Sequence, residues 1–289
     1  MTSHLKPYIQ TLIKNIDSNT VPSEIDLVFD SGALNGFMAY GAAMYIRALE
    51  EAKVLRVRRV SGCSAGAMVA LMYLINIYYD IDPFFTSLLK HYHTHRNLSE
   101  YMVKMREIIE EHLTDDLSEL NGRLFITFFD TEKRKQVVVS HYADRAELID
   151  CLARSSHIPY VSNPIMKYQD RYVDGVTPYM FEKGERRILF VKLVHMSNVF
   201  RLLNVRNETN SYSRVLEGVF DANIFFTRGR SPMCSYVDTW WQVEHILMRI
   251  RIFIFLTVVK IVERFRFVYR LAPKVVTWAH RRLIDWFKN

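Results

Sequence analysis

The sequence predicts an α/β fold built on a largely parallel sheet, and three observations carry that expectation. Short apolar, β-branched runs alternate with longer stretches whose apolar residues recur at helical spacing. Two of the strand-to-helix junctions carry glycines, SGALNG and GCSAG. The chain of 289 residues is 49% hydrophobic and 13% aromatic, which suits one large domain with a substantial core and excludes a disordered chain.

Each element follows from its local pattern. After a polar leader, IDLVFD (25–30) reads as a buried strand, a short β-branched run ended by turn residues. FMAYGAAMYIRALEEA (37–52), rich in helix formers, is a helix. RVRRV (56–60) is a second strand, and AMVALMYLINIYY (67–79) a buried helix. Helical patterns follow at 82–95 and 98–113. RLFITFFD and KQVVVSHY, separated by TEKR, form a strand pair. ADRAELIDCLARSS is a helix with an acidic first turn, RYV (171–173) is strand-like, and RRILFVKLV (186–194) is a late strand. No internal repeat is present.

Charge and cysteine usage narrow the class. Residues 240–289 hold ten Lys and Arg against three Asp and Glu, a surplus equal to the +7 of the whole chain, so residues 1–239 balance. Cys63, Cys151 and Cys234 are scattered, odd in number and form no C-x-x-C pair, which argues against a disulfide framework and a zinc site. With no apolar signal segment in MTSHLKPYIQTLIKN, the expected place is intracellular, in the cytoplasm. In the basic tail the longest apolar run, IFIFLTVV (252–259), falls short of the about 20 residues that span a bilayer. Two readings of the tail stand. One is a helix packed on the domain with its basic face in water, followed after Pro273 by a second helix. The other is an interfacial helix pair, apolar and Trp residues at the acyl boundary and basic residues toward anionic headgroups. Neither a groove-sized basic face nor a known module for nucleic acid is present, so nucleic acid is not an expected partner.

The stretch VSGCSAGAM (60–68) sets Ser64 between Gly62 and Gly66. A serine hydroxyl attacks only when a base takes its proton and donors receive the developing oxyanion. G-x-S-x-G supplies the geometry: the strand turns sharply into a helix, the glycines avoid collisions, and the hydroxyl stands at the helix N-terminus. Cys63 is the rival nucleophile, but such an elbow presents its central residue. The first strand ends in a similar turn, Asp30-Ser31-Gly32-Ala33-Leu34-Asn35-Gly36. In a parallel sheet both turns lie at one carboxyl edge, so amides of Gly32 and Ala33 face Ser64; a phosphate turn is the alternative, without G-x-G-x-x-G or P-loop spacing. Histidines for a triad after Asp174 are His195, His245 and His280, none in a recognisable loop signature. His91, His93 and His95 invite a metal reading, which the helical pattern disfavours because alternate residues do not share a helix face.

SGALNG, GCSAG and VDG (173–175), in this order, resemble the motif blocks of the patatin-like phospholipase family, and ARSSHIPYVSNPIMKYQDRYVDGV resembles the segment that leads to its acidic block. The resemblance spans about residues 25–195. It implies a three-layer hydrolase with a central, mostly parallel sheet flanked by helices; the pattern of the tail adds a helical C-terminal region at 196–289 with possible membrane contact. It implies a Ser64–Asp174 dyad, an oxyanion hole on Ser31, Gly32 and Ala33, and an elbow at Gly62 and Gly66, with no cofactor or metal. The reaction would be hydrolysis of phospholipid or acylglycerol esters through an acyl-enzyme; related proteins also transfer acyl groups. The expected partners are that lipid and a membrane or lipid surface met peripherally through residues 240–289. The alternatives are a catalytically weak surface protein on the same frame and a soluble Ser-His-Asp esterase. Three departures from the family pattern stand out. Ser31 and Ala33 replace glycines, which would be strained if φ there is positive. Asn35 replaces a basic residue, so its local pairing is expected to be lost. Val176 is bulkier than the family's glycine or alanine.

Overall fold

A computed structural model describes residues 2–77, 81–182, 184, 186–194, 199–203, 208–271 and 282. The expected strands and helices form, although the helix read through residue 79 ends at Leu74 and residues 78 and 79 lie outside those described, and a central mostly parallel sheet is flanked by helices as the resemblance implied. The strands are β1 (Glu24–Phe29), β2 (Arg56–Cys63), β3 (Leu124–Asp130), β4 (Lys135–Val139), β5 (Tyr172–Asp174), β6 (Arg187–Val191) and β7 (Cys234–Tyr236). They are ordered β4-β3-β2-β1-β6-β7, with β5 on β3. β3, β2, β1 and β6 run parallel; β4, β5 and β7 are antiparallel additions.

The helices are α1 (Thr2–Ile13), α2 (Gly36–Glu51), α3 (Ala65–Leu74), α4 (Ile81–His95), α5 (Glu100–His112), α6 (Arg145–Ser155), α7 (Tyr212–Arg228) and α8 (Gln242–Leu271). Three elements had no clear signature in the sequence. The polar leader is helical as α1, whose Leu5 and Ile9 reach the core. Also unread were α7 and β7; both come from the expected C-terminal region yet belong to the same layers as the rest. α7 crosses α2 where two glycines meet. A side chain at Gly41 would strike the Val215 carbonyl at 2.0 Å, and one at Gly218 the Met38 carbonyl at 1.8 Å.

Strand alternation divides the two faces of the sheet. Ile25, Leu27 and Phe29 enter the main core beneath the helices. Val28, Ile188 and Phe190 form a second cluster with Phe181 and Val237, against which Trp240 and Met248 pack. Asp26 and Asp30 share the face of Val28 by the same alternation, and both are buried. Asp26 is neutralised by Arg59 and Arg186. The second helix expected after Pro273 lies outside the described residues.

Candidate active site

β3 places the serine and the aspartate side by side. β2 pairs with β3 as far as Cys63, opposite Thr127, and stops at the turn into α3. At the next residue of β3, Phe128, the pairing passes to Asp174 of β5. A residue at the end of one strand and a residue more than a hundred positions later are thus consecutive stations along a third strand.

Ser64 stands at the tip of the elbow, at φ 55° and ψ −129°, directly before α3. Such a φ is uncommon for a residue with a side chain and is held only by its surroundings. The Ser64 amide donates to Ser155 Oγ at 2.9 Å, and that hydroxyl donates to the Thr127 carbonyl at 2.8 Å. The elbow's glycines permit the packing beneath it. A Cβ on Gly62 would meet the Gly66 carbonyl at 2.3 Å, and one on Gly66 would meet the Asp30 carbonyl at 2.3 Å. The second contact docks the elbow directly on the end of β1.

Asp174 is 3% exposed and Ser64 4%. The Asp174 amide donates to the His157 carbonyl at 2.8 Å. Its Oδ1 accepts the Val176 amide at 2.7 Å and the Cys63 thiol at 3.6 Å, while Oδ2 has no hydrogen bond of regular geometry. Burial pushes the carboxyl up to about 6, against the pull of the Ser64 hydroxyl, the Val176 amide, Cys63 and Arg251. The Ser64 hydroxyl thus favours the charged carboxylate, while Oδ2 lacks a well-formed bond. Cys63 is unsuited to attack. Burial, with the Asp174 charge behind it, raises its thiol well above the usual range and keeps it protonated.

The loop after β1 is organised by Asp30. This fully buried carboxylate accepts the Ser31 amide at 2.9 Å and the Leu193 and Val194 amides at 3.2 and 3.4 Å. Of the three expected oxyanion residues, Ser31 thus has its amide committed to Asp30, and its hydroxyl donates to the Val176 carbonyl at 2.5 Å. Two of the substituted positions take the conformation that favours glycine: Ala33 has φ 43° and Val176 φ 64°. For a β-branched residue such a φ costs about 1–3 kcal/mol. The loss of pairing expected at Asn35 does not occur. Its amide donates to the Leu193 carbonyl at 3.0 Å, and its carbonyl accepts Arg214 Nη1 at 2.6 Å. Arg214, fully buried on α7, also grips Glu208 at 2.6 Å and the Arg201 carbonyl at 2.9 Å. A cation supplied from α7 stands in for the one missing from the loop.

The residue that sequence reasoning missed most completely is Arg251 of α8. Its Nη1 lies 3.1 and 3.0 Å from the two Asp30 oxygens. Its Nη2 donates to Ser31 Oγ at 2.9 Å and to the Val176 carbonyl at 3.2 Å. Burial works against its charge, but Asp30 more than compensates and raises the guanidinium above its ordinary value. Only the basic bias of the tail hinted at such a role.

Among the described residues no histidine side chain is hydrogen-bonded to Asp174. His245 is exposed on α8, with its ring 5.4 Å from Trp240. His195 and His280 lie outside the described residues. His157 meets Asp174 through its backbone, and burial lowers the pKa of its imidazole. His91 and His95 stack with ring centroids 4.3 Å apart, and no metal-binding group of His, Cys, Asp and Glu occurs among the described residues.

The outer face of α8 is apolar. Val243, Ile246, Leu247, Ile250, Phe253, Ile254, Val258 and Ile261 are exposed, Phe253 at 70%. Among the described residues no helix is long and apolar enough to cross a membrane. A sequence model described as patatin-like phospholipase matches residues 27–180. A search of curated proteins gave no match.

Proposed function

The chain belongs to the patatin-like phospholipase family, a lipid acyl hydrolase family in general terms, and from that premise we propose a serine hydrolase of phospholipase A or lipase type working through a Ser64–Asp174 dyad. The observation that carries this reading is the handover of β3 from Cys63 to Asp174, which sets a strained serine beside a desolvated carboxylate. Ser64 Oγ attacks the ester carbonyl as Asp174 takes its proton, and the amides of Gly32 and Ala33, in the loop that Ser31 fastens, receive the oxyanion. Collapse of the intermediate expels the alcohol, which takes the proton back from Asp174. Water then attacks the acyl-enzyme, again giving its proton to Asp174; as this second intermediate collapses Ser64 Oγ takes that proton back and the fatty acid leaves. A base with a pKa about 6 is ionised at neutral pH yet more basic than an ordinary aspartate.

Transfer of the acyl group to an alcohol in place of water uses the same intermediate, so acyltransferase side activity belongs to this reading. The alternative, a catalytically weak protein on the same frame, draws on the positive φ at Ala33 and Val176. A fluorophosphonate ester separates the two. Wild-type protein should be labelled covalently, Ser64→Ala should not, and a wild-type protein that resists labelling even with lipid present would refute the enzyme.

The place of action we propose is a membrane surface inside the cell. Three free, buried cysteines suit a reducing compartment. The apolar stripe on α8 is bordered by exposed Arg249, Lys260 and Arg264, the arrangement of a helix lying in an anionic interface. Each basic residue there contributes about 1 kcal/mol, so reversing all three by glutamate, which removes that attraction and adds repulsion, should weaken binding to phosphatidylglycerol vesicles by more than about a hundredfold. Vesicle sedimentation at rising salt should show the wild-type affinity falling; affinity indifferent to salt and to the three reversals would refute the electrostatic part.

A further inference from the structure

The side of α8 opposite its exposed stripe lies on the site. Glu244, Met248, Arg251, Ile252, Phe255, Leu256, Val259 and Val262 recur at helical spacing and are shielded. Met248 packs on the sheet cluster around Phe190, and Val259, Phe255 and Val262 pack with Met166 and Val173, the residue before Asp174. Between these two apolar contacts sits Arg251, bonded to Asp30, to Ser31 and to the Val176 carbonyl. One guanidinium therefore ties α8 to both loops of the site, and Lys167 adds a pair to Glu263 further along the helix. Beneath this arrangement Ser64 and Asp174 are almost inaccessible.

We propose that α8 is a lid over the active site, latched by Arg251 to Asp30, and that docking of its exposed apolar stripe on an anionic phospholipid bilayer releases it. The proposal rests on the serine-hydrolase reading and adds its regulation. A surface opens a lid only if it binds the open state better. In water, lifting α8 exposes an inner face that is apolar save for Glu244 and Arg251, on top of an outer face that is exposed already. At a bilayer, acyl chains replace the contacts the inner face gives up, and a lipid phosphate replaces Asp30 as the partner of Arg251. The helix is apolar on both faces with a basic border on one flank, so the open form gains more from the interface than the closed form. In this state the released cleft lies against the layer that holds the substrate.

The test uses the full chain with and without phosphatidylglycerol vesicles, and the variants Arg251→Met and Arg251→Lys. Two readouts are taken: hydrogen exchange of the amides in residues 30–36, and the rate of fluorophosphonate labelling at Ser64. Saturating vesicles should raise both for the wild type, the labelling by about tenfold, which a shift of one order in the lid equilibrium produces. Without vesicles, Arg251→Met should exchange and label several-fold faster than wild type. Arg251→Lys, which retains a charge for Asp30, should fall between them. Phosphatidylcholine vesicles should be weaker activators than phosphatidylglycerol. Exchange in the 30–36 loop that does not respond to bound vesicles would overturn the lid, and this arm needs no variant to fold. Slower labelling of Arg251→Met with unchanged exchange would also overturn it, leaving Arg251 as a residue that only positions the loop. Faster exchange without labelling in any arm would keep the lid and remove the hydrolase reading, so the two fail separately.

Discussion

Replacing Asp174 by asparagine should cut turnover of a fatty-acyl ester about a thousandfold while making the protein more stable at neutral pH. The first effect follows from losing the only base proposed for Ser64. The second follows from the cause of its pKa. Burial raises the carboxyl from 3.8 to about 6, so the folded state holds this proton more tightly than the unfolded chain does. The resulting stability is present below about pH 4, is lost as pH rises from there to about 6, and is absent at pH 7. A shift of this size corresponds to about 3 kcal/mol of destabilisation by the charged form. Asparagine carries no charge and still accepts the Val176 amide. Its advantage in thermal unfolding should appear at pH 7 and vanish near pH 4. Wild-type activity should fall as pH drops through about 6. A variant that loses stability at pH 7, or an activity profile flat from pH 7 to 5, would contradict the assignment.

Replacing Arg214 by methionine should have the largest effect of any change outside the dyad. The side chain is fully buried, and it holds Asn35 at the end of the loop, Glu208 and the Arg201 carbonyl together. Removing the buried cation strands the half-buried Glu208 and the Asn35 and Arg201 carbonyls, at a cost of about 2–4 kcal/mol. Denaturant unfolding should show a lower midpoint, and labelling of Ser64 should slow because the loop that carries Gly32 and Ala33 is no longer anchored at Asn35. The double change Arg214→Met with Glu208→Gln removes the stranded charge and should recover part of the stability but not the labelling rate. Full recovery of both would mean that the contact to Asn35 is idle.

The parallel strands were legible because each is a short β-branched run ended by turn residues, and the elbow because glycine, small residue, serine, small residue, glycine is an unusual local pattern. Asp174 was legible only through resemblance; VDG alone reads as an ordinary turn. What escaped reading was supplied across long stretches of chain. Nothing local in α7 marks Arg214 as the partner of Asn35, since its neighbours give it an ordinary helical pattern. α8 looked like a basic amphipathic helix, and from composition Arg251 is one of ten basic residues in the tail. Its singular position comes from facing inward among apolar neighbours, which the helical phase alone implies once one knows which side is covered. Both faces of α8 being apolar hid that phase. The strain at Ala33 and Val176 was foreseeable as a condition, and the backbone fulfils it.

The crossing of α2 and α7 and the edge strand β7 bear on how the polypeptide is made. The strand carrying Asp30 is synthesised early, yet the amides that satisfy it belong to Leu193 and Val194, its counter-ion to Arg251, and the sheet is finished only at Cys234–Tyr236. Loop closures of that length are slow, and a chain emerging from the ribosome N-terminus first holds an unpartnered edge on β1 until β6 at residues 187–191 has appeared. Ser64, the proposed nucleophile, is made more than a hundred residues before Asp174 and further still before Leu193 and Val194, so on the ribosome it waits for its base and for the amides that fix the neighbouring loop.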